Sequence, residues 1–173
     1  MTYLVDYIKM YPNVLREEQC KIIAERFRHS PQWKKDNYRD CDVIDLADKL
    51  AVAAHRDIDE MLYRAVTTAS RLYMADYPNV KIRRDLGYDI LRHNQNDQAC
   101  RDLAFENADP AVLYCSIILN EEYSGGDTMF SDGQTNINMP LGSALIFPSS
   151  FVFAHSVGPV RKGQRISAVT WLL

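Results

Sequence analysis

The spacing of apolar residues changes near residue 86, and this change constrains the fold of the 173-residue chain more than any other feature. Before it, apolar residues recur every three or four positions. The stretch 15–27 has this spacing along one flank, which is typical of an amphipathic helix. The stretch 47–77 repeats the pattern. It predicts one long helix or two joined helices that end before Pro78.

After residue 86 the chain consists of short apolar segments separated by turn residues. The segment 112–119 is apolar and rich in β-branched residues, as expected of a strand buried on both faces. Further strands are predicted at 88–92, 128–130, 136–138, 143–147 and 166–171, with turns that include Gly125-Gly126 and Lys162-Gly163. Such a series favours a sandwich or barrel. We therefore predict one α+β, mainly β domain over 1–173, in which a helical part at 1–85 braces a β core at 86–173.

The composition excludes several classes of protein. Apolar residues make up 47% of the chain and charged residues 25%, proportions that are typical of a packed globule and not of a disordered chain. The net charge of -3 lacks the basic excess that nucleic-acid binding requires. No run of about 18 apolar residues is present, so no membrane span is expected. The four cysteines form no CxxC pair, which favours a reducing, cytoplasmic location.

Two residues of the β half are candidates for a ligand site. His155 follows an apolar approach and precedes a Gly-Pro turn, where a neutral imidazole can give a nitrogen lone pair to a metal. Arg165 begins the last predicted strand, ten residues later. A cation beside a metal suits a dicarboxylate that chelates with one end and forms an ion pair with the other. A core histidine and a surface arginine are the alternatives that spacing leaves open.

Several linked segments of the β half together resemble a known family. They are Leu113-Tyr-Cys-Ser-Ile-Ile-Leu-Asn120, Tyr123-Ser-Gly-Gly-Asp-Thr-Met-Phe130, Gly142-Ser-Ala-Leu-Ile-Phe-Pro-Ser149, His155-Ser-Val-Gly-Pro-Val-Arg-Lys-Gly-Gln-Arg165-Ile-Ser167 and Trp171. Their order and spacing resemble the Fe(II)- and 2-oxoglutarate-dependent oxygenases of the prolyl-4-hydroxylase-like family. The match runs over 86–173, about half of the chain, and several motifs in one order are more specific than a single short pattern.

The resemblance implies a double-stranded β-helix (jelly roll) with iron bound at its open end. His155 matches the distal histidine of the family's two-histidine, one-carboxylate triad. Arg165 matches the basic residue that pairs with the far carboxylate of 2-oxoglutarate, and Ser167 assists it. The cofactors implied are Fe(II) and 2-oxoglutarate as cosubstrate, and O2 is the other reactant.

The chain departs from the family pattern at the remaining metal ligands. The family's histidine-x-aspartate motif aligns with Cys100-Arg101-Asp102, so Asp102 matches the aspartate and Cys100 replaces the histidine. His93 and Asn96 replace a tyrosine and a glycine of the preceding strand. We expect His93 to form a hydrogen bond to 2-oxoglutarate in place of that tyrosine.

Three interpretations of this departure are open. In the first, Cys100 is a thiolate ligand, which would favour softer ions such as zinc. In the second, Asp102 and His155 hold iron with extra waters, helped by His93 or by Asp97. In the third, the metal site is vacant, Cys100 is an inert residue, and the fold acts as a binding module.

The expected function is that of an Fe(II)- and 2-oxoglutarate-dependent dioxygenase that hydroxylates a protein or peptide side chain such as proline. Its metal ligands would be Asp102 and His155 with Cys100, and some family members act on small metabolites instead. Loops at 103–110 and 29–42 are expected to select the substrate. The alternative is a catalytically silent protein of the same fold that binds a partner or a dicarboxylate without turnover.

Overall fold

Two antiparallel sheets form the β core of this computed structural model. It describes residues 3–36, 39–47, 49–95, 97, 100–102, 113–130 and 134–173, with the backbone alone at 49 and 100–102. The helices are α1 (Glu17–Arg28), α2 (Lys49–Ala54) and α3 (Arg56–Asp76). The strands are β1 (Lys9–Tyr11), β2 (Lys34–Asp36), β3 (Cys41–Asp45), β4 (Asp89–Asn94), β5 (Cys100–Asp102), β6 (Leu113–Ile118), β7 (Tyr123–Gly125), β8 (Thr128–Phe130), β9 (Thr135–Ile137), β10 (Ala144–Pro148), β11 (His155–Val157) and β12 (Val160–Leu172).

Within the described ranges, the strands divide into a major and a minor sheet. The major sheet has the order β1-β10-β6-β12-β4-β3-β2, and β7 pairs with the first part of β12. The minor sheet has the order β5-β11-β8-β9. Most neighbours in both orders, such as β10 with β6 and β5 with β11, are distant in sequence, as in a jelly roll closed by long connections. The predicted double-stranded β-helix is confirmed.

The helices cover the outer face of the major sheet because each has one apolar stripe. In α1 the buried residues are Cys20, Ile23, Ala24 and Phe27. In α3 the buried residues are Ile58, Leu62, Ala65, Val66, Ala69, Ser70 and Tyr73. Both sets recur at three and four positions and pack with inward residues of β12 and β6 into one core cluster. The predicted bracing helices are thus present, and the stretch 47–77 forms two helices and not one.

Alternation along β12 divides the core into two clusters. Ile166, Ala168 and Leu172 pack toward the helices. Val169 and Trp171 belong to a second cluster, which includes Phe130 of the minor sheet and therefore lies between the sheets. Successive residues of a strand point to opposite faces, so a single strand supplies both layers.

Two sequence predictions need correction. The part before residue 86 is not only helical, because β1, β2 and β3 lie in it and extend the major sheet at both edges. Short polar edge strands carry little apolar periodicity, so the predicted loop at 29–42 contains β2 and the start of β3. The second correction concerns Lys162-Gly163, which is no turn between strands. β12 passes through it with a bulge opposite β7, and Gly163 has a φ of 74°.

No described helix has the length and apolar character needed to cross a membrane.

Candidate active site

A pocket between the two sheets brings four of the predicted site residues together. His93 reaches it from β4, Arg165 and Ser167 from β12, and His155 from β11. The pocket holds about 330 Å³ of space, part of it open to solvent. Arg165 and Ser167 share a face because they are two residues apart on one strand. Arg165 lies inside β12, not at its start as the sequence predicted.

Arg165 is a buried cation whose side-chain partners among the described residues are hydroxyl groups. Its side chain is 2% exposed. Nη1 lies 3.2 Å from Oγ of Ser167 and Nη2 lies 3.4 Å from Oγ1 of Thr128. It also forms a hydrogen bond with Tyr123; burial raises the pKa of that phenol, and the charge of Arg165 opposes the rise. Across the described part of the chain no carboxylate forms an ion pair with Arg165. A buried charge without a counter-ion is costly, so this geometry suits an incoming anion.

The Gly125-Gly126 turn makes room for this guanidinium group. Both glycines adopt positive φ, as expected of the predicted turn. A Cβ on Gly126 would lie 3.0 Å from Cδ of Arg165, closer than ordinary van der Waals contact. The glycine therefore lets the β7–β8 connection pass close to the base of the arginine side chain.

His155 begins β11 inside a cage of aromatic rings. Its ring centroid lies 4.8 Å from that of Tyr114, 4.7 Å from that of Phe147 and 5.8 Å from that of Phe130. Nδ1 lies 3.3 Å from the carbonyl oxygen of Phe153. With the proton on Nδ1, this contact fixes the ring and makes Nε2 the nitrogen that carries the lone pair. Metal-binding histidines are commonly oriented in this way.

The strand register places the predicted acid opposite this histidine. In the pairing of β5 with β11, Asp102 lies opposite His155 and Cys100 opposite Val157. Paired positions of antiparallel strands share one face of the sheet. Asp102 is therefore the cross-strand neighbour of His155, whereas Cys100 lies two residues farther along, about 7 Å in an extended strand.

The structure describes the side chain of only one of the three predicted metal ligands, His155. Where side chains are described, no three His, Cys, Asp or Glu residues come close enough to hold a metal ion. The side chains of Cys100 and Asp102 lie outside that description, as do residues 96 and 103–110 and hence the predicted substrate loop. An imidazole, a cross-strand carboxylate position and a nearby thiol position form a donor set that fits iron or zinc.

His93 lies beside Arg165 and is neutral. It is 2% exposed and pairs with Arg165 across β4 and β12. Burial lowers the pKa of His93 well below its usual value, and the positive charges of Arg165, Lys35 and Arg39 add to the effect. Neither ring nitrogen has a hydrogen-bond partner within the described ranges. A neutral imidazole can donate one hydrogen bond, so its position suits the predicted contact with a dicarboxylate.

Several pocket residues were not predicted from the sequence. Thr128 and Tyr123 hold Arg165, and Tyr114 and Ser116 line the pocket from β6. The sequence signal that could have identified Tyr114 and Ser116 is the alternation of side-chain direction along a strand, because the two residues are two positions apart on β6. Trp171 of β12 does not line the pocket and packs against Tyr114, with ring centroids 5.5 Å apart.

Comparison with known proteins identifies the family. The sequence profile of the 2OG-Fe(II) oxygenase superfamily matches residues 83–173, more than half of the chain. The chain belongs to this superfamily. The chain is 31% identical over 139 residues to a PKHD-type hydroxylase of Shewanella baltica, covering 75% of the chain and 58% of that relative. It is 44% identical over 54 residues to a PKHD-type hydroxylase of Shewanella frigidimarina, covering 30% of the chain and 23% of the relative. The chain therefore spans less than two thirds of the length of these curated relatives.

Solved structures share the fold of this oxygenase at low sequence identity. A prolyl hydroxylase of Trichoplax adhaerens, in complex with a hypoxia inducible factor peptide fragment, gives a TM-score of 0.75 at 14% identity and covers 96% of the chain and 83% of that protein. A prolyl-4-hydroxylase of Pseudomonas putida gives a TM-score of 0.71 at 17% identity, with coverage of 98% and 96%. These similarities confirm the jelly-roll fold.

Proposed function

We propose that this chain is an Fe(II)- and 2-oxoglutarate-dependent dioxygenase that hydroxylates a protein or peptide side chain such as proline. The observation that carries the proposal is the buried guanidinium of Arg165, which faces the same pocket as His155 and whose side-chain partners among the described residues are hydroxyl groups. A dicarboxylate that is anchored on Arg165 would extend toward the histidine. Such a cosubstrate would supply the counter-ion that the described residues do not.

Each pocket residue has a role in this proposal. Asp102 and His155 hold the metal, with Cys100 as the third ligand. Bound iron would supply the activation of O2. Arg165, Ser167 and His93 bind and orient 2-oxoglutarate, and the rings of Tyr114, Phe130 and Phe147 exclude water around His155.

The substrate proposal is supported by the relatives. The PKHD-type hydroxylases and the prolyl hydroxylases are named for hydroxylation, and one of the latter is in complex with a peptide fragment. A small-molecule substrate is the other class consistent with the fold. A cytoplasmic location is proposed as well, because Cys20 and Cys115 are buried free thiols, as a reducing compartment permits.

Metal and cosubstrate binding test the proposal independently of turnover. Under anaerobic conditions the protein is titrated with Fe(II) and then with 2-oxoglutarate in a calorimeter, and we expect about one equivalent of each to bind. Air and a library of proline-containing peptides are then supplied. Release of succinate and a peptide mass increase of one oxygen atom would support the hydroxylase, whereas absence of iron binding would contradict it.

The role of Cys100 is tested by alkylation with iodoacetamide. Burial raises the pKa of Cys20 to about 11 and that of Cys115 to about 12, so both should react slowly with or without metal. If Cys100 is a ligand, Fe(II) will protect it selectively, and mass spectrometry of its peptide will show the protection. A metal-loaded protein in which Cys100 still reacts freely would contradict thiolate ligation and leave Asp102 and His155 as the ligands.

The silent binding module is the second candidate, and the cysteine at the expected histidine position favours it. The variant Cys100→His distinguishes the active dioxygenase from the silent binding module. Iron binding and succinate release that appear only in the variant would mean that the natural cysteine disables the metal site. Binding of 2-oxoglutarate without iron and without turnover, in both the natural protein and the variant, would support the silent module.

A further inference from the structure

A second groove lies on the opposite side of the major sheet from the candidate active site. Helix α3 forms one wall, and the extended segment 82–85 forms the other. Leu172 of β12 closes the base, whereas Ser167 of the same strand faces the candidate active site. The groove holds about 580 Å³ of space, part of it open to solvent, which is more than the pocket at Arg165 holds. A concave site that is mainly apolar and carries a few polar groups can accept a small organic molecule.

The second wall is fixed by backbone hydrogen bonds. The amides of Arg83 and Arg84 both donate to the carbonyl oxygen of Leu173, at 2.5 and 3.1 Å. The amide of Ile82 donates to Sδ of Met74 on the helix, at 3.5 Å. The groove is therefore a built feature of the fold, and its shape does not depend on a free loop.

The rim of the groove is positively charged. Among the described side chains that line it, Arg71, Arg83 and Arg84 are basic and Asp85 alone is acidic. The carboxylate of Asp85 already has hydrogen-bond partners, because it accepts from the amide of Gly87 at 3.1 Å and from the hydroxyl of Tyr88 at 2.9 Å. Arg71 and Arg83 form no ion pair with another described residue. The rim thus has positive charge available on a chain whose overall charge is -3.

The interior of the groove combines an apolar surface with one buried polar group. Val66, Met74, Ile82 and Leu172 supply the apolar lining. Ser70 is 5% exposed, and its hydroxyl has no hydrogen-bond partner in the described part of the protein. A buried hydroxyl without a partner is unfavourable, and a ligand oxygen in the groove would provide one.

We propose that this groove binds a small amphipathic anion, a carboxylate with a short alkyl chain. The alkyl chain lies on the apolar lining, and the carboxylate pairs with Arg71 and Arg83 while one of its oxygens accepts a hydrogen bond from the hydroxyl of Ser70, the neighbour of Arg71 on α3. The site is independent of the cosubstrate pocket, because the two cavities lie on opposite faces of β12. Neutral molecules of the same size lack the ion pair and bind more weakly.

The test uses octanoate as the probe and calorimetry or NMR titration as the measurement. Burial of several methylene groups, less the cost of association, gives an expected dissociation constant on the order of 1 mM or lower. The double variant Arg71→Gln/Arg83→Gln should weaken binding about ten-fold or more, since it removes both charge-assisted contacts. The matched control is Arg64→Gln, on the same helix but paired with Glu60 and outside the groove. It should leave the affinity unchanged.

Four results would overturn the proposal. One is octanoate binding that the double variant leaves unchanged. Another is equal affinity for octanoate and the neutral 1-octanol, which would show that charge plays no part. The third is displacement of octanoate by 2-oxoglutarate in the natural protein but not in Arg165→Gln, which would place the probe in the cosubstrate pocket. Protein that binds no octanoate at about ten times the expected dissociation constant also refutes it.

Discussion

Replacing Arg165 by glutamine tests the role of the buried cation. At about 4 Å and an effective dielectric constant of about 20, an ion pair is worth about 4 kcal/mol. Removing one partner of a buried pair costs about 3–5 kcal/mol, because the other charge stays buried without compensation. At about 1.4 kcal/mol for each ten-fold change, Arg165→Gln should weaken 2-oxoglutarate binding by a factor of about 10² to 4 × 10³. Arg165→Lys keeps the charge but loses the planar fork of the guanidinium group. Its affinity for 2-oxoglutarate should therefore lie between those of the natural protein and Arg165→Gln.

The assay is calorimetric titration under anaerobic conditions, with 2-oxoglutarate and with 2-oxopentanoate, which has the same chain length but no second carboxylate. The natural protein should prefer 2-oxoglutarate by about 10²-fold or more, and Arg165→Gln should lose nearly all of that preference. Arg161→Gln, an exposed position on the same strand, is the control and should keep it. A variant at Arg165 that still prefers the dicarboxylate by the natural factor would refute the anchor.

Three further predictions concern stability. The depressed pKa of buried His93 means that the unfolded chain binds a proton near pH 6.5 that the folded protein does not, so folding stability falls as the pH drops below about 6.5. His93→Phe should lose less stability than the natural protein between pH 7 and about pH 5 in urea titrations, and equal losses would contradict the assigned shift. Phe27→Ala, at a fully buried position of α1, should cost about 3–5 kcal/mol in the same assay, against less than about 0.5 kcal/mol for Ile22→Ala, which is 45% exposed. Gly142→Ala should lower the melting temperature by about 4 °C or more, because φ is 68° and the new Cβ would lie 2.2 Å from the carbonyl oxygen of Leu15; an unchanged melting temperature would show that the turn can shift.

The sequence predicted the second half of the fold well because its signals are local. The segment predicted at 112–119 forms β6, and 128–130 forms β8 as predicted. Buried β-branched runs and the glycine turns between them depend on neighbours only a few residues away. In the first half, the sequence analysis missed three strands. An edge strand of three polar residues such as β2 is defined by its pairing with β3 and not by the periodicity of its own apolar residues.

The candidate site was predicted residue by residue, but its arrangement was not. His155 and Arg165 stood out by spacing and by family resemblance, and both line one pocket. Nothing in the sequence indicated that Thr128 and Tyr123 would hold the guanidinium, because these residues are 37 and 42 positions away. Thr128 reaches it from the facing minor sheet, and Tyr123 from β7, which pairs with β12. The roles of Cys100 and Asp102 as ligands stay predictions, although the register places Asp102 opposite His155.

The sequence by itself determined which residue types could form the site: a cation, an imidazole and an acid that match a family pattern. It also determined the spacing of apolar residues that distinguishes helices from strands. Only the tertiary structure decided which face of β12 each side chain occupies, and with it the division between the pocket at Arg165 and the groove beside α3. The physical reason is that side-chain direction alternates along a strand. The residues that pack against each face of the strand come from sheets and helices in distant parts of the chain.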